Sequence, residues 1–356
     1  MFRKRLSRLR EHFSQEGIDA LLISSNSNRV YLSGFQGTSG CLIITSDEQI
    51  LVTDFRYLNQ AKSEATDYQI VLFKTSLLEK INDLLKERQI QTLGFESQHL
   101  TYEQYHKYKS QLEVDFIPVS SLVEKLRKHK DPAEIEKVKN AVSVADKTFE
   151  HILGFIKPGV TERELAAEME YFMRKEGAGG PSFDTIIASG FRGALPHGTA
   201  SDRAICPGDL IVMDYGAILD GYCSDITRTV VVGTATSEQR KIYDIVLEAQ
   251  TEALGFVEPG RKCCEIDALA RDIIAGHGFG ENFGHGLGHG VGLEVHEKPS
   301  VNPRNQDILE PGMVITVEPG IYIDGWGGVR IEDMVLVTDK GCEILTQSPK
   351  ELIEVS

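Results

Sequence analysis

Hydrophobic positions in the first third of the chain follow two different periods. Leu6, Leu9 and Phe13 recur at helical spacing and predict an amphipathic helix over 1–13. Short apolar runs follow at 18–24 (IDALLIS), 41–45 (CLIIT), 49–53 (QILVT), 69–73 (QIVLF) and 92–96 (TLGFE). Each has the length and the β-branched or aromatic content of a strand. The second and third are joined by the turn-prone SDE, and the amphipathic LLEKINDLLKE separates the fourth from the fifth. Strands alternating with helices predict a mixed or parallel sheet flanked by helices.

The pattern changes near residue 128. Asp131-Pro132 with Glu134 is a helix-start signal, in which Asp131 caps and Pro132 takes the first helical position. Long helices are predicted over 132–155 and 161–176, the second opened by a Thr161/Glu164 capping box. Beyond them the chain turns rich in glycine and in strand-forming residues. Two domains are expected, 1–128 and 129–356, in line with about 150 residues per domain for a chain of 356.

Composition narrows the class. With 41% hydrophobic and 26% charged residues the chain is globular, not disordered or fibrous. No run of 18 apolar residues is present to span a membrane. The basic start lacks the apolar core of a secretory signal. The 38 basic against 53 acidic residues give a net charge of −15, which disfavours nucleic acid as a partner. Six scattered cysteines without a CxxC pair read as free thiols in a reducing, cytoplasmic compartment.

The candidate chemistry lies in the second half. The segment IVMDYGAILDGYCSDITRTVVV (211–232) reads as a hairpin turning at Asp220-Gly221. If Leu219 and Tyr222 close the turn, Asp214 faces Thr227 and Gly216 faces Asp225, all on one side of the ribbon. Asp214 and Asp225 are then diagonal neighbours about 7–8 Å apart, and a cation between them would relieve their repulsion. The alternative is a solvated face carrying two acids, but the flanking apolar runs IVM and VVV oppose it. Cys223 shares the parity of Asp225 and is taken as a small apolar filler. A second acidic pair occupies strand-like runs, Glu318 in MVITVEPG (313–320) and Glu332 in GGVRIEDMVLV (327–337). A lone carboxylate is costly to bury there, and pairing with Arg330 is the purely structural explanation for Glu332. Between the pairs lies NFGHGLGHGVGLEVHE (282–297), with His285, His289 and His296. His197 in LPHGTA is a fourth histidine candidate. Four carboxylates and an imidazole form an oxygen-rich set that suits Mn²⁺, Co²⁺, Fe²⁺ or Zn²⁺ in a two-metal hydrolytic site better than a structural zinc.

The motifs MDYGAILDGYCSDITRT, HGLGHGVGLEVHE, TVEPGIYI and GGVRIEDM together resemble those of the pita-bread-fold metallopeptidases, a family that includes methionine aminopeptidase, aminopeptidase P and prolidase. The resemblance to the prolidase and aminopeptidase P branch runs over nearly the whole chain, including ASGFRGALPHG (188–198) and HKDPAEIEKVKNA. It implies an α/β (α+β) chain in which an N-terminal creatinase-type α/β domain precedes a C-terminal pita-bread catalytic domain. It also implies the ligand set Asp214, Asp225, His289, Glu318 and Glu332 for two divalent ions, with Mn²⁺ first and Co²⁺, Zn²⁺ or Fe²⁺ as alternatives. In that arrangement Asp214 chelates one ion, Asp225 and Glu332 bridge both, and His289 and Glu318 complete the other. A bridging hydroxide attacks the bond before proline, with Glu318 as proton shuttle. His197 and His296 would act at the scissile bond, and His285 and Arg330 would line the substrate pocket. The expected partners are small proline-containing peptides and a second copy of the chain in a homodimer, the N-terminal domain limiting substrate length. A creatinase-like amidinohydrolase without metal and a non-catalytic protein-binding module are the alternatives; relatives of both kinds lose ligands that are intact here.

Overall fold

The computed structural model describes residues 1–356, and its first unit, Met1–Arg127, is built on one sheet. The apolar runs become β1 (Ala20–Ile23), β2 (Cys41–Thr45), β3 (Gln49–Thr53), β4 (Gln69–Leu72) and β5 (Thr92–Glu96). A sixth strand, β6 (Asp115–Val119), completes the order β4-β3-β2-β1-β5-β6. The sheet is mixed: β1 pairs antiparallel with β2 and parallel with β5. The sequence pattern did not single out β6 because Asp115 and Pro118 interrupt its apolar positions, which an edge strand tolerates. The amphipathic start departs from one continuous helix. It ends at Arg10, and a separate turn, Phe13–Glu16, closes on Gly17 in the left-handed region at φ 67°. Leu6, Leu9 and Phe13 are all buried, as their spacing predicts.

The second unit, Lys128–Ser356, opens with the helices Pro132–Leu153 and Glu162–Lys175. Both capping boxes form. Asp131 accepts from the Glu134 N–H at 3.0 Å while Glu134 accepts from the Asp131 N–H at 3.0 Å, and Thr161 and Glu164 repeat the exchange. The strands that follow are β7 (Gly180–Pro181), β8 (Ile186–Ser189), β9 (Leu210–Tyr215), β10 (Ala217–Leu219), β11 (Tyr222–Cys223) and β12 (Ile226–Val232). After the helices Ser237–Phe256 and Cys263–Gly276 come β13 (Gly288–Gly290), β14 (Glu297–Val301), β15 (Val314–Val317), β16 (Gly320–Ile323), β17 (Gly327–Arg330), β18 (Asp333–Thr338), β19 (Gly341–Ile344) and β20 (Ile353–Val355). They form sheets in the orders β20-β12-β9-β8 and β14-β13-β15-β18-β19, with smaller ribbons β11-β10-β7 and β16-β17. Ile315 and Val317 of β15 and Val335 of β18 pack with Val246, Ala249, Ile266 and Ala270 of the last two helices, giving the site a rigid support.

The hairpin register is the expected one. Tyr222 lies opposite Leu219 and Thr227 opposite Asp214, and Asp220 and Gly221 turn at φ 50° and 83°. Gly216 is required, because a Cβ there would stand 1.8 Å from the Ser224 carbonyl oxygen. The segment 327–337 is not the single strand its composition suggests. It splits at Ile331-Glu332 into β17, paired with β16, and β18, paired with β15. The Glu332 N–H leaves these ladders to donate to the Thr227 carbonyl at 3.1 Å. Asp225, Glu318 and Glu332 thus occupy the ends of strands, where ladders part and side chains are free to converge.

Candidate metal centre

One cavity of about 480 Å³ gathers all nine residues singled out from the sequence. Asp214, Asp225, His289, Glu318 and Glu332 line it together with His197, His285, His296 and Arg330. Ligand atoms of Asp225, His289 and Glu332 lie within 4.8 Å of one another. His289 Nε2 is 3.5 Å from Asp225 Oδ2 and 3.3 Å from Glu318 Oε1. Its Nδ1 lies 3.1 Å from the Gly290 carbonyl, which assigns the ring proton to Nδ1 and leaves the Nε2 lone pair facing the carboxylates. Thr227 donates to Glu332 Oε2 at 2.7 Å, and Thr316 donates to Glu318 Oε1 at 3.2 Å.

Arg330 pairs with Asp214 and not with Glu332, which removes the purely structural explanation for Glu332. The guanidinium also donates to Thr227 Oγ1 at 3.1 Å, to the Tyr322 hydroxyl at 2.8 Å and to the Pro196 carbonyl at 3.2 Å. Tyr322 in turn lies 2.9 Å from His285 Nε2, while His285 Nδ1 faces the Gly286 carbonyl at 2.8 Å. His296 stacks on His289 with ring centroids 4.3 Å apart. Cys223 is buried among Val138, Val142, Val291 and Met334 and does not line the cavity, so it acts as the filler expected.

The electrostatics are those of a site that needs cations. Burial, and then the neighbouring carboxylates Glu332 and Asp214, hold Asp225 well above the usual carboxylate range. Glu332 is raised well above it by burial and by Glu318 and Asp214. Asp214 is raised by burial against the opposing pull of Arg330. Burial acts to raise Glu318 too, but the His289 hydrogen bond together with the charges of His289, His285 and Arg330 outweighs it and the net shift is downward. Asp214 Oδ1 and Glu332 Oε1 are buried without any hydrogen-bond partner. Leaving such an oxygen bare costs about 1–3 kcal/mol or more for a charged group. Arg330 is the only lysine or arginine among the lining residues, against the carboxylates of Asp184, Asp214, Asp225, Glu318 and Glu332. Oxygen donors with one imidazole, two bare buried oxygens and uncompensated charge fit divalent metal ions.

Two family models cover the chain. Residues 5–129 match the creatinase/prolidase N-terminal domain, and residues 136–339 match metallopeptidase family M24. The chain belongs to metallopeptidase family M24. It joins a creatinase-type N-terminal domain to a pita-bread domain, for which membership of the family implies divalent metal ions. A solved Xaa-Pro dipeptidase from Bacillus anthracis is 49% identical, with a TM-score of 0.98 over 99% of each chain. The Xaa-Pro dipeptidase of Pyrococcus furiosus (strain ATCC 43587 / DSM 3638 / JCM 8422 / Vc1) is 42% identical over 99% of this chain and 100% of its own length. The crystal structure of X-Pro aminopeptidase from Thermotoga maritima MSB8 is 41% identical, with a TM-score of 0.91 over 97% of this chain and 100% of that one.

The M24 cavity also has walls that the sequence did not announce. Phe183, Ile186 and Val295 supply apolar surface, and Asp184, Thr199 and Asn302 supply polar surface. Ile186 reaches the cavity because β8 pairs it directly with Asp214. Tyr322 was legible in principle, since it shares the motif TVEPGIYI with Glu318. Its phenol, pushed up to about 12 by burial, stays protonated between Arg330 and His285.

Proposed function

We propose that this enzyme is a metal-dependent Xaa-Pro peptidase, hydrolysing the bond that precedes proline in Xaa-Pro dipeptides or short Xaa-Pro-Yaa peptides. The observation that carries the reading is the single cavity in which five metal-type donors, two of them with bare buried oxygens, meet three further histidines and Arg330. Its volume suits a small peptide. Full-length relatives named as Xaa-Pro dipeptidases and an X-Pro aminopeptidase support the same substrate class. Because a bond to proline has no N–H, peptidases that grip that donor fail on it, and a dedicated site is needed.

Asp214, Asp225, His289, Glu318 and Glu332 hold two divalent ions, Mn²⁺ first. Such ions polarise the carbonyl and supply a nucleophile from water at neutral pH. Glu318 takes a proton from the attacking water and hands it to the leaving imide nitrogen. His197 and His296 donate to the carbonyl oxygen as negative charge develops there. His285, braced by Tyr322, and Arg330 orient the rest of the peptide. The protein works as a cytoplasmic homodimer; a 39.5 kDa species in sedimentation equilibrium at micromolar concentration overturns the dimer.

The test is a panel of Xaa-Pro, Xaa-Pro-Yaa and Xaa-Ala peptides, run with Mn²⁺-loaded, chelated and reloaded protein. Cleavage confined to the proline peptides, lost on chelation and restored by Mn²⁺, is expected. The ratio between the two proline classes separates dipeptidase from aminopeptidase. Protein carrying about two equivalents of metal that cleaves no proline peptide overturns the reading.

A further inference from the structure

His197 stands on the loop between β8 and β9, and no hydrogen bond of its own ring holds it there. Its position depends on the backbone of residues 189–201, and both ends of that stretch are tied to one carboxylate. Glu162, the first residue of the helix Glu162–Lys175, has a fully buried side chain. Its Oε1 accepts from the Ser189 N–H at 2.8 Å and the Ser189 hydroxyl at 2.7 Å. Its Oε2 accepts from the Ser201 N–H at 3.0 Å and the Ser201 hydroxyl at 2.6 Å. Arg192, inside the loop, donates from one guanidinium nitrogen to the same Oε2 and from the other to the Thr199 carbonyl at 2.8 Å. Five donors therefore converge on Glu162, and an anion is the side chain that can accept them all.

The loop is held from another element as well. A Cβ on Gly193 would stand 2.8 Å from the Gly328 nitrogen, and one on Gly327 would stand 2.7 Å from the Gly190 carbonyl oxygen. β17 thus touches the loop backbone directly. From the same strand Arg330 reaches the Pro196 carbonyl. Between these anchors Pro196, His197 and Thr199 face the cavity.

We infer that Glu162 is a positioning residue for catalysis, strapping the loop 189–201 so that His197 is presented to the substrate. The inference rests on the reading of His197 as a group that acts on the reacting bond. Glu162 touches neither substrate nor metal ligands, so its removal acts on the transition state only through the loop. Small misplacements of a catalytic group cost up to about a hundredfold in rate.

A double-mutant cycle on the metal-loaded full-length enzyme tests this, with Glu162→Gln, His197→Ala and the double variant assayed on an Xaa-Pro peptide. Glu162→Gln puts an amide N–H against incoming donors. It is expected to lower kcat about tenfold or more, with KM and metal content within about twofold of wild type. In the His197→Ala background the same substitution is expected to change kcat less than about twofold, because the residue it acts through is gone. An additive loss, or no loss from Glu162→Gln alone, overturns the inference. An unchanged kcat in His197→Ala instead refutes the role of His197, and the strap falls with it. If Glu162→Gln does not fold, Arg192→Ala, which leaves the four serine contacts intact, takes its place in the same cycle with the same criteria.

Discussion

Arg330 pairs with Asp214, 116 residues away in the chain, and not with Glu332, its neighbour two positions on. Strand parity put Arg330 and Glu332 within reach of each other. The break at Ile331-Glu332 leaves Arg330 in the β16–β17 ladder and takes Glu332 out of any ladder, so the guanidinium is free to offset a carboxylate on the facing hairpin. Arg330 is the one fixed positive charge among four site carboxylates. In the metal-free protein its replacement leaves Asp214 buried against Glu318 and the others. Arg330→Met is therefore expected to destabilise the metal-free protein by about 3–5 kcal/mol, the scale of breaking a buried pair. Saturating Mn²⁺ should recover part of that loss. Urea unfolding with and without Mn²⁺ measures both. An equal loss in the two conditions would show that the guanidinium and the ions do not share the task of neutralising the cluster.

The hairpin was readable because one signal, Asp220-Gly221, fixes a register, and register fixes which side chains share a face. Asp214 opposite Thr227 followed from that turn alone. The capping boxes at Asp131 and Thr161 were readable for the same reason, since each is a local rule with its partner three residues away. The end of a strand at Glu318 was readable from Pro319-Gly320, but the break at Glu332 was not, because it arises where a backbone N–H turns to another segment, the Thr227 carbonyl. Glu162 was hidden beside a more conspicuous neighbour. Thr161 and Glu164 announce the helix start, whereas the partners of Glu162 lie 27 to 39 residues on. Phe183, Asp184, Val295 and Asn302 carry no pattern of their own, and only the fold brings them to the cavity.

Asp225 is crowded by like charge, and its removal should separate metal binding from folding. Asp225→Ala is expected to lower bound metal and abolish turnover. The metal-free variant should melt a few degrees above metal-free wild type, the scale of about 1 kcal/mol, because a carboxyl penalised by burial and by its acidic neighbours is gone. Elemental analysis and calorimetry check the two halves separately. Full metal content with full activity would remove Asp225 from the ligand set.

His296 stacks on His289 but is proposed to serve the substrate. His296→Ala should cut kcat by about a hundredfold, the scale of one lost oxyanion donor, with metal content near normal. A parallel fall in bound metal would move His296 among the ligands.

Directly beside Glu332, whose carbonyl accepts from the same guanidinium, Arg228 and Asp333 form an ion pair in which both side chains are about 1% exposed. Asp333 also accepts from Thr346, Gln250 and Lys350. Asp333→Leu strands a buried guanidinium and is expected to cost about 3–5 kcal/mol in chemical denaturation. The double change Arg228→Met with Asp333→Leu should recover much of it. A double variant no more stable than Asp333→Leu alone would mean that the carboxylate matters for its other partners and not for the charge of Arg228.

The cysteines give a pH dependence whose sign follows from burial. The Cys41 thiol is raised to about 12 by burial, against a small opposing pull from Arg29, and burial likewise raises Cys263 to about 12. An unfolded thiol ionises near 8.5. Between about pH 8.5 and 12 the unfolded chain therefore binds fewer protons than the folded one, and stability falls as pH rises. Below that window both states keep the proton and the thiols impose no slope. Cys41→Ala and Cys263→Ala should each flatten the alkaline fall by up to about 1.4 kcal/mol per pH unit, whatever constant offset the lost packing adds. The same burial predicts the order of alkylation at pH 8: Cys206, which is exposed, reacts first, and Cys41 and Cys263 react only on unfolding. Mass spectrometry after iodoacetamide treatment reads the order directly. Rapid native labelling at Cys41 or Cys263 would mean that the strand or helix bearing it opens far more readily than its packing implies.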